Sequence, residues 1–295
     1  VIISASRRTD IPAFYSDWFY NRIKEGFALV RNPMNLHQVK RVSLRAEDVD
    51  CIVFWTKNPS DMLPNLNLVK DYSYYFQFTL NPYDKALETD VPRKSMIIDS
   101  FKKLSDIIGP QRVIWRYDPI ILGSSIDANY HEKYFEVLAN KLHQYTSKCI
   151  ISFVDRYKKI ESTFNKLGVQ EINENAKRTV AKKLSEVADS YGLRLTTCAE
   201  EIDLTDMGIG HARCIDPVLI EEVLGVKTDC KKDRNQRSAC GCAASVDIGA
   251  YNTCVHGCIY CYASFSKESV KRNMAKYDVN SPLLCSRLSD EDKIK

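Results

Sequence analysis

Three cysteines, Cys254, Cys258 and Cys261, stand in the segment YNTCVHGCIYCYA at spacing C-x3-C-x2-C. Soft thiolates at this density select zinc or an iron–sulfur cluster over harder cations. A structural zinc site takes four ligands and is commonly built from paired C-x2-C knuckles. Only Cys258 and Cys261 make such a pair here, although Cys240 and Cys242, spaced C-x-C, could complete a four-cysteine zinc set. A c-type haem site needs histidine after the last cysteine, and Tyr262 stands there. A redox C-x2-C pair would leave Cys254 without a role. Three cysteines on a [4Fe–4S] cluster leave one iron without a protein ligand, open to a chelating substrate or cofactor.

The remaining composition narrows the setting. Eleven cysteines in a chain that opens VIISASRRTD, with neither a basic leader nor an apolar export stretch, argue against a disulfide framework. A cytoplasmic protein is the expectation, and no apolar run reaches the length of a membrane span. A net charge of +4 over 295 residues does not announce a nucleic-acid binder, nor does it exclude one. Any electropositive site has to be local.

The elements that must position these cysteines alternate. VIISAS (1–6), CIVFWT (51–56), YYFQFTL (74–80), RVIWRYD (112–118), CIISFVD (149–155), LRLTTCA (193–199) and SVDIGAY (245–251) are near-continuous apolar runs, the pattern of parallel strands buried on both faces. Helical patterns lie between them. One carries Asp10 as N-cap, Pro12 and a stop at Gly26, and another repeats the device with Asp90, Pro92 and Gly109. Apolar stripes at Ile97, Phe101, Leu104 and Ile108, at Ile126, Tyr130, Tyr134, Leu138 and Leu142, and at Val180, Leu184, Val187 and Tyr191 are expected to face a core.

Right-handed βα units in this number predict an α/β fold: a partial or near-complete TIM-like barrel of six to seven parallel strands. Residues 1–224 form its βα repeats, 225–244 a cysteine-containing connecting loop, and 245–295 a strand, the cysteine loop and a C-terminal helix of the same barrel.

Active sites of such barrels lie at the C-terminal ends of the strands. There the sequence places SRRTD (6–10), TKNP (56–59), NPYD (81–84), RYDP (116–119), DRYKK (155–159) and AEE (199–201). Arg7, Arg8, Lys57, Arg116, Arg156 and Lys158 would favour an anionic group at that mouth. The alternative is internal pairing with Asp10, Asp118, Asp155, Glu200 and Glu201.

C-x3-C-x2-C with an aromatic residue before the last cysteine resembles the signature of the radical S-adenosylmethionine (SAM) superfamily. The resemblance implies a [4Fe–4S] cluster on Cys254, Cys258 and Cys261, SAM chelated at the open iron, and Tyr260 near the adenine. It also implies reductive cleavage of SAM to start radical chemistry on an unidentified, anionic or neutral substrate, with an electron donor such as a ferredoxin or flavodoxin. The cysteine loop is similar to that of the spore photoproduct lyase group, where segments like TKNP, FTLNPYDKALE and IWRYDPIIL follow it; here they precede it. Joining residue 295 to residue 1 restores that order, so the expectation is a circularly permuted barrel. The chain also resembles an uncharacterised radical-SAM-like family that begins with SASRRTDIPA and carries the cysteines near its end. By the same resemblance Lys57 addresses the SAM carboxylate, Ser6, Arg7, Thr9 and Asp10 its methionyl end, and Asn81, Arg116 and Asp118 its ribose or a substrate.

Cys198, Cys214, Cys240 and Cys242 suffice for a fully ligated auxiliary [4Fe–4S] cluster, with Cys230 as an alternative ligand and a zinc site or uncommitted thiols as competing readings. His211 and Arg213, in GIGHARC, are candidates to face the cavity, with proton transfer or a structural hydrogen bond as the role of His211. Tyr83, Tyr117 and Tyr157 are candidate relays in a radical enzyme. Cys51 and Cys149 read as buried thiols. A zinc-stabilised, non-catalytic module binding an anionic ligand or nucleic acid is the competing function.

Overall fold

The computed structural model describes residues 1–156, 160–161, 164–165, 168–264 and 266–295. In chain order its elements begin with β1 (Ile2–Ala5), α1 (Ile11–Phe14), α2 (Ser16–Glu25), β2 (Phe27–Asn32), β3 (Asn35–Ser43), β4 (Cys51–Thr56) and β5 (Tyr74–Thr79). They continue with α3 (Lys94–Ile108), β6 (Val113–Ile120), α4 (Ala128–Leu142), β7 (Lys148–Phe153), α5 (Glu174–Ser190) and β8 (Arg194–Cys198). The last are β9 (Gly210–Ala212), α6 (Pro217–Leu224), β10 (Val246–Asp247), α7 (Lys267–Met274) and β11 (Lys293–Ile294).

Eight strands form one parallel sheet in the order β10-β1-β4-β5-β6-β7-β8-β9. The sheet is not closed, so the fold is a partial TIM-like barrel. Seven of its strands are the apolar runs read from the sequence; the eighth, β9, is three residues long and gives too short a run to stand out. The last strand lies beside the first, and Ile3 and Ser4 pair with Val246 and Asp247. Moving β10 to the front of the chain would make the spatial and sequential orders of the sheet agree.

Helices cover the sheet through the expected stripes, with two corrections. The α3 stripe of Ile97, Phe101, Leu104 and Ile108 is buried, as are Val180 and Leu184 of α5. In α4 the buried face runs through His131, Phe135, Leu138, Ala139 and Leu142, whereas Tyr134 is exposed. The rings of Tyr130 and Tyr134 lie tilted against each other, with centroids 4.5 Å apart and planes at 50°. Asp10 caps α1, accepting from Ala13 N at 3.0 Å, and Gly26 ends α2 at φ 75°, which glycine adopts without a Cβ clash. Asp90 does not cap α3, which starts at Lys94 behind Arg93. Its backbone N–H instead donates to His256 O at 3.0 Å and anchors the cysteine loop.

The antiparallel hairpin β2–β3 was not read from the sequence. Its turn formers NPMN were visible, but exposed alternation in LHQVKRVS leaves little apolar signal. The chain after α7 returns to this hairpin: β11 pairs with β3, Leu283 bridges Leu29, and Trp18 Nε1 donates to Ser281 O at 2.8 Å.

Candidate functional site

At the C-terminal ends of the strands the cysteine loop closes on itself through Asn252 N to Ala263 O, 2.8 Å, and Cys261 N to Cys258 O, 3.2 Å. It is pinned to the loop after β5 by Ile259 N to Leu87 O, 3.1 Å, and by a bridge between Glu88 and Cys258. Gly257, at φ 64°, brings its backbone so near that loop that a Cβ would stand 2.6 Å from Asp90 Oδ2. Only glycine suits both demands.

Two carboxylates tie the surrounding ends together. Asp247 of β10 accepts from Ser4 Oγ and Ser6 Oγ, each at 2.6 Å, from Arg7 N at 2.8 Å and from Gly249 N at 3.0 Å. Asp10 caps α1 with one oxygen, and with the other accepts from Lys57 N at 2.7 Å and His256 Nε2 at 2.8 Å. The turns after β1 and β4 and the cysteine loop thus meet on one buried side chain.

These ends enclose a cavity of about 630 Å³. Cys254, Cys258 and Cys261 line it, together with Lys57 and Tyr260. Lys57 Nζ lies 2.8 Å from Glu88 Oε1 and 3.1 Å from the Tyr260 hydroxyl, which also donates to Glu88. Glu88 is 1% exposed and also meets Lys94. Burial opposes its charge, but Lys57 and Lys94 overcome that and hold its carboxyl at about 2. Burial pushes the Cys258 thiol up to about 12 against the pull of Lys57, and Cys254 is raised by burial and by Cys261 beside it. A metal at these thiols would have to displace their protons.

Ser6, Arg7, Thr9, Asp10, Arg116 and Asp118 also line the cavity, as expected. Arg7 donates to Ser245 Oγ at 3.1 Å and lies over the Trp55 ring, while Arg8 lies over Tyr251. Arg116 grips Asp118 through two nitrogens, and Asn81 is locked to the Asp118 backbone by bonds of 2.7 and 2.8 Å. The expected internal pairing therefore holds for Arg116, whose charge is met within the wall. Arg156 turns to Asn165 and Val169 and does not line the cavity; Lys158 and Tyr157 lie outside the described residues.

His211, on the edge strand β9, is exposed and bonded to Thr197 Oγ1 at 3.1 Å, and both it and the exposed Arg213 just after the strand stand outside the cavity. Tyr83 and Tyr117 are buried and bonded to Pro119 O and His131, also off the cavity.

Cys198, Cys214, Cys240 and Cys242 all reach the cavity wall. Cys198 Sγ stands 3.0 Å from Cys214 Sγ, and Cys214 N donates to Cys242 Sγ at 3.2 Å. Cys214 is held well below the usual thiol range by hydrogen bonds from Cys198 and Cys242 and by Arg116 and Arg7. Cys230 is not part of this wall. Among the described residues no three His, Cys, Asp or Glu side chains are already drawn round a single point as ligands of one ion.

Two side chains of the cavity wall, Thr9 and His256, each carry a buried polar atom, Oγ1 and Nδ1, without a hydrogen-bond partner among the described residues. Neither His256 nor Glu88 was singled out from the sequence. A histidine between two cysteines was a signal for the first; Glu88, inside FTLNPYDKALE, reads as an ordinary loop charge.

A family model described as a domain of unknown function, DUF1848, matches residues 2–263, from β1 through the last of the three cysteines. The chain belongs to this family. The DUF1848 match thus spans both the strand ends and the cysteine loop that build the cavity. No curated protein matches in sequence. A crystal structure from Bacteroides thetaiotaomicron, provisionally described as an alpha-L-fucosidase, is similar at 13% identity and TM-score 0.25, over 54% of this chain and 67% of that one. A likeness so slight carries no argument about activity.

Proposed function

We propose that this DUF1848 protein is a radical SAM enzyme, with Cys254, Cys258 and Cys261 holding a [4Fe–4S] cluster and SAM bound beside it. The observation that carries the reading is that all three cysteines of the C-x3-C-x2-C loop open onto one cavity with Lys57, Tyr260 and the polar strand ends. The orphaned Thr9 Oγ1 and His256 Nδ1 support a polar ligand there, since buried polar atoms are nearly always bonded. The volume suits a cofactor with a small substrate.

A [4Fe–4S] cluster held by Cys254, Cys258 and Cys261 would supply one-electron reduction of SAM, with a ferredoxin or flavodoxin as its electron donor. The chain's own residues bind and orient. Lys57 spends two of its three N–H donors on Glu88 and Tyr260 and keeps one for a carboxylate. Arg7 and Arg8 sit on aromatic faces at the mouth and favour an anionic group on the substrate. Tyr260, held by Glu88 and Asn81, presents its ring as a flat wall.

The test is anaerobic reconstitution with iron and sulfide, followed by SAM and a strong reductant. Bound iron and sulfide with 5′-deoxyadenosine formation, lost in Cys258→Ala, is the expected result. Protein that takes up zinc but no iron and makes no 5′-deoxyadenosine would instead favour the zinc-stabilised binding module.

A further inference from the structure

Four cysteines outside the C-x3-C-x2-C loop converge from three separate places in the fold. Cys198 ends β8, Cys214 follows β9, and Cys240 and Cys242 come from the connecting segment 225–244. We infer that these four thiols bind a second metal centre, a tetrathiolate site on the cavity wall at the β8–β9 edge of the sheet.

Three observations carry this. First, the thiols adjoin: Cys198 Sγ lies 3.0 Å from Cys214 Sγ, Cys242 Sγ accepts from Cys214 N at 3.2 Å, and Cys240 stands two residues before Cys242 on the same wall. They stand side by side rather than round one point; a tetrahedral zinc would set the sulfurs about 3.8 Å apart, so Cys198 and Cys214 would part to admit it. The other buried cysteines of the sheet, Cys51 and Cys149, make no sulfur contact among the described residues and pack in apolar surroundings.

Second, the surroundings are built for thiolate charge. Arg116 donates to Cys214 Sγ at 2.9 Å, the Cys214 N–H donates to Cys242 Sγ at 3.2 Å, and Arg7 lies on the same wall. Gln77 and the Tyr75 hydroxyl fix the Cys214 carbonyl at 2.9 and 2.6 Å, which holds this ligand's backbone in place. Such outer bonds are what orient metal ligands.

Third, segment 225–244 needs a fastening. Apart from one bridge between Lys232 and Ala243 it has no regular structure, and Val226, Ala239, Ala243 and Ala244 are its only apolar residues besides cysteine. Ordering about 20 residues costs roughly 1 kcal/mol each or more, far beyond what so few apolar groups return. Metal–thiolate bonds supply stabilisation of the needed kind.

The inference does not depend on SAM chemistry and is tested without it. The probe is the variant Cys254→Ala/Cys258→Ala/Cys261→Ala, reconstituted anaerobically with iron and sulfide, and separately with zinc or cobalt(II). Retention of about four irons and four sulfides per chain identifies a cluster. Retention of one zinc, with an intense tetrathiolate spectrum for cobalt, identifies a single-ion site; either result supports the inference. Alkylation mapped by mass spectrometry should show Cys198, Cys214, Cys240 and Cys242 protected at least tenfold by the metal, with Cys230 unprotected. A folded triple variant that retains no metal, or one with a Cys198–Cys214 disulfide in place of it, overturns the inference. Adding Cys240→Ser to that variant, a change at the periphery of the four thiols, should cut retention several-fold without the loss of the remaining fold.

Discussion

Lys57 Nζ and Glu88 Oε1 lie 2.8 Å apart in a buried pair, with Tyr260 bonded to both partners. One carboxylate thereby joins the turn after β4, the loop after β5 and the residue before the last cysteine of the C-x3-C-x2-C loop. Removing its charge leaves Lys57 and Lys94 facing each other without compensation. Glu88→Gln should lower stability by about 3 kcal/mol, read as a shift in the denaturant midpoint. An unchanged midpoint would show that the lysines find other partners.

The same pair sets an acid limit. The Glu88 carboxyl is held at about 2 in the folded chain against an ordinary value of 4.5. Its contribution is therefore complete above about pH 4.5 and is lost as pH falls toward 2, in total about 3 kcal/mol. Stability measured across that window should fall more steeply for the wild type than for Glu88→Gln, and parallel curves would refute the assignment.

Tyr260→Phe keeps the ring and removes the hydroxyl that meets Glu88, Lys57 and Asn81. Stability should fall by roughly 1–2 kcal/mol, with iron binding retained and SAM cleavage within tenfold of wild type. Complete loss of cluster loading would mean that the hydroxyl, and not the ring, is what the loop requires.

Asp10 serves three donors, so Asp10→Ala removes a helix cap and releases both Lys57 N and His256 together. A loss of about 2 kcal/mol is expected, larger than for either Asp10→Asn or His256→Ala, as thermal unfolding of the three variants can show.

At Gly249 the junction of β10 with β1 leaves no room for a side chain, since a Cβ would stand 2.1 Å from Ser6 Oγ. Gly249→Ala should cost about 2–3 kcal/mol. Adding Ser6→Gly should cost less than the sum of the two single changes, with a coupling above about 1 kcal/mol. Additive losses would place the strain elsewhere.

The sheet was legible because buried parallel strands write themselves as apolar runs, and CIVFWT and RVIWRYD needed no further context. The cysteine loop was legible because its spacing is chemistry in itself. Glu88 was not, since what sets it apart is burial beside specific partners and nothing local in KALE records it; for His256 the sequence offered only its place between two cysteines, not its bond to Asp10. The strand SVDIGAY shortened to Val246–Asp247 for a related reason: Asp247 and Gly249 are taken up by the β1 turn, which ends the ladder early. The return of residues 275–295 to the β2–β3 hairpin is likewise a long-range pairing without an apolar pattern to announce it.

One of the two neighbours of β1 in the sheet, β10, is encoded some 240 residues after it, whereas β4 on the other side follows within about 50. At ordinary rates of synthesis, roughly 5 to 20 residues per second, β1 waits ~10 to 50 s on the ribosome before β10 emerges. Most of the sheet can therefore collapse while that edge is bare and the cysteine loop does not yet exist. The three thiols of that loop join a largely assembled scaffold late, and a truncated chain would expose an unpaired strand edge rather than a loose loop.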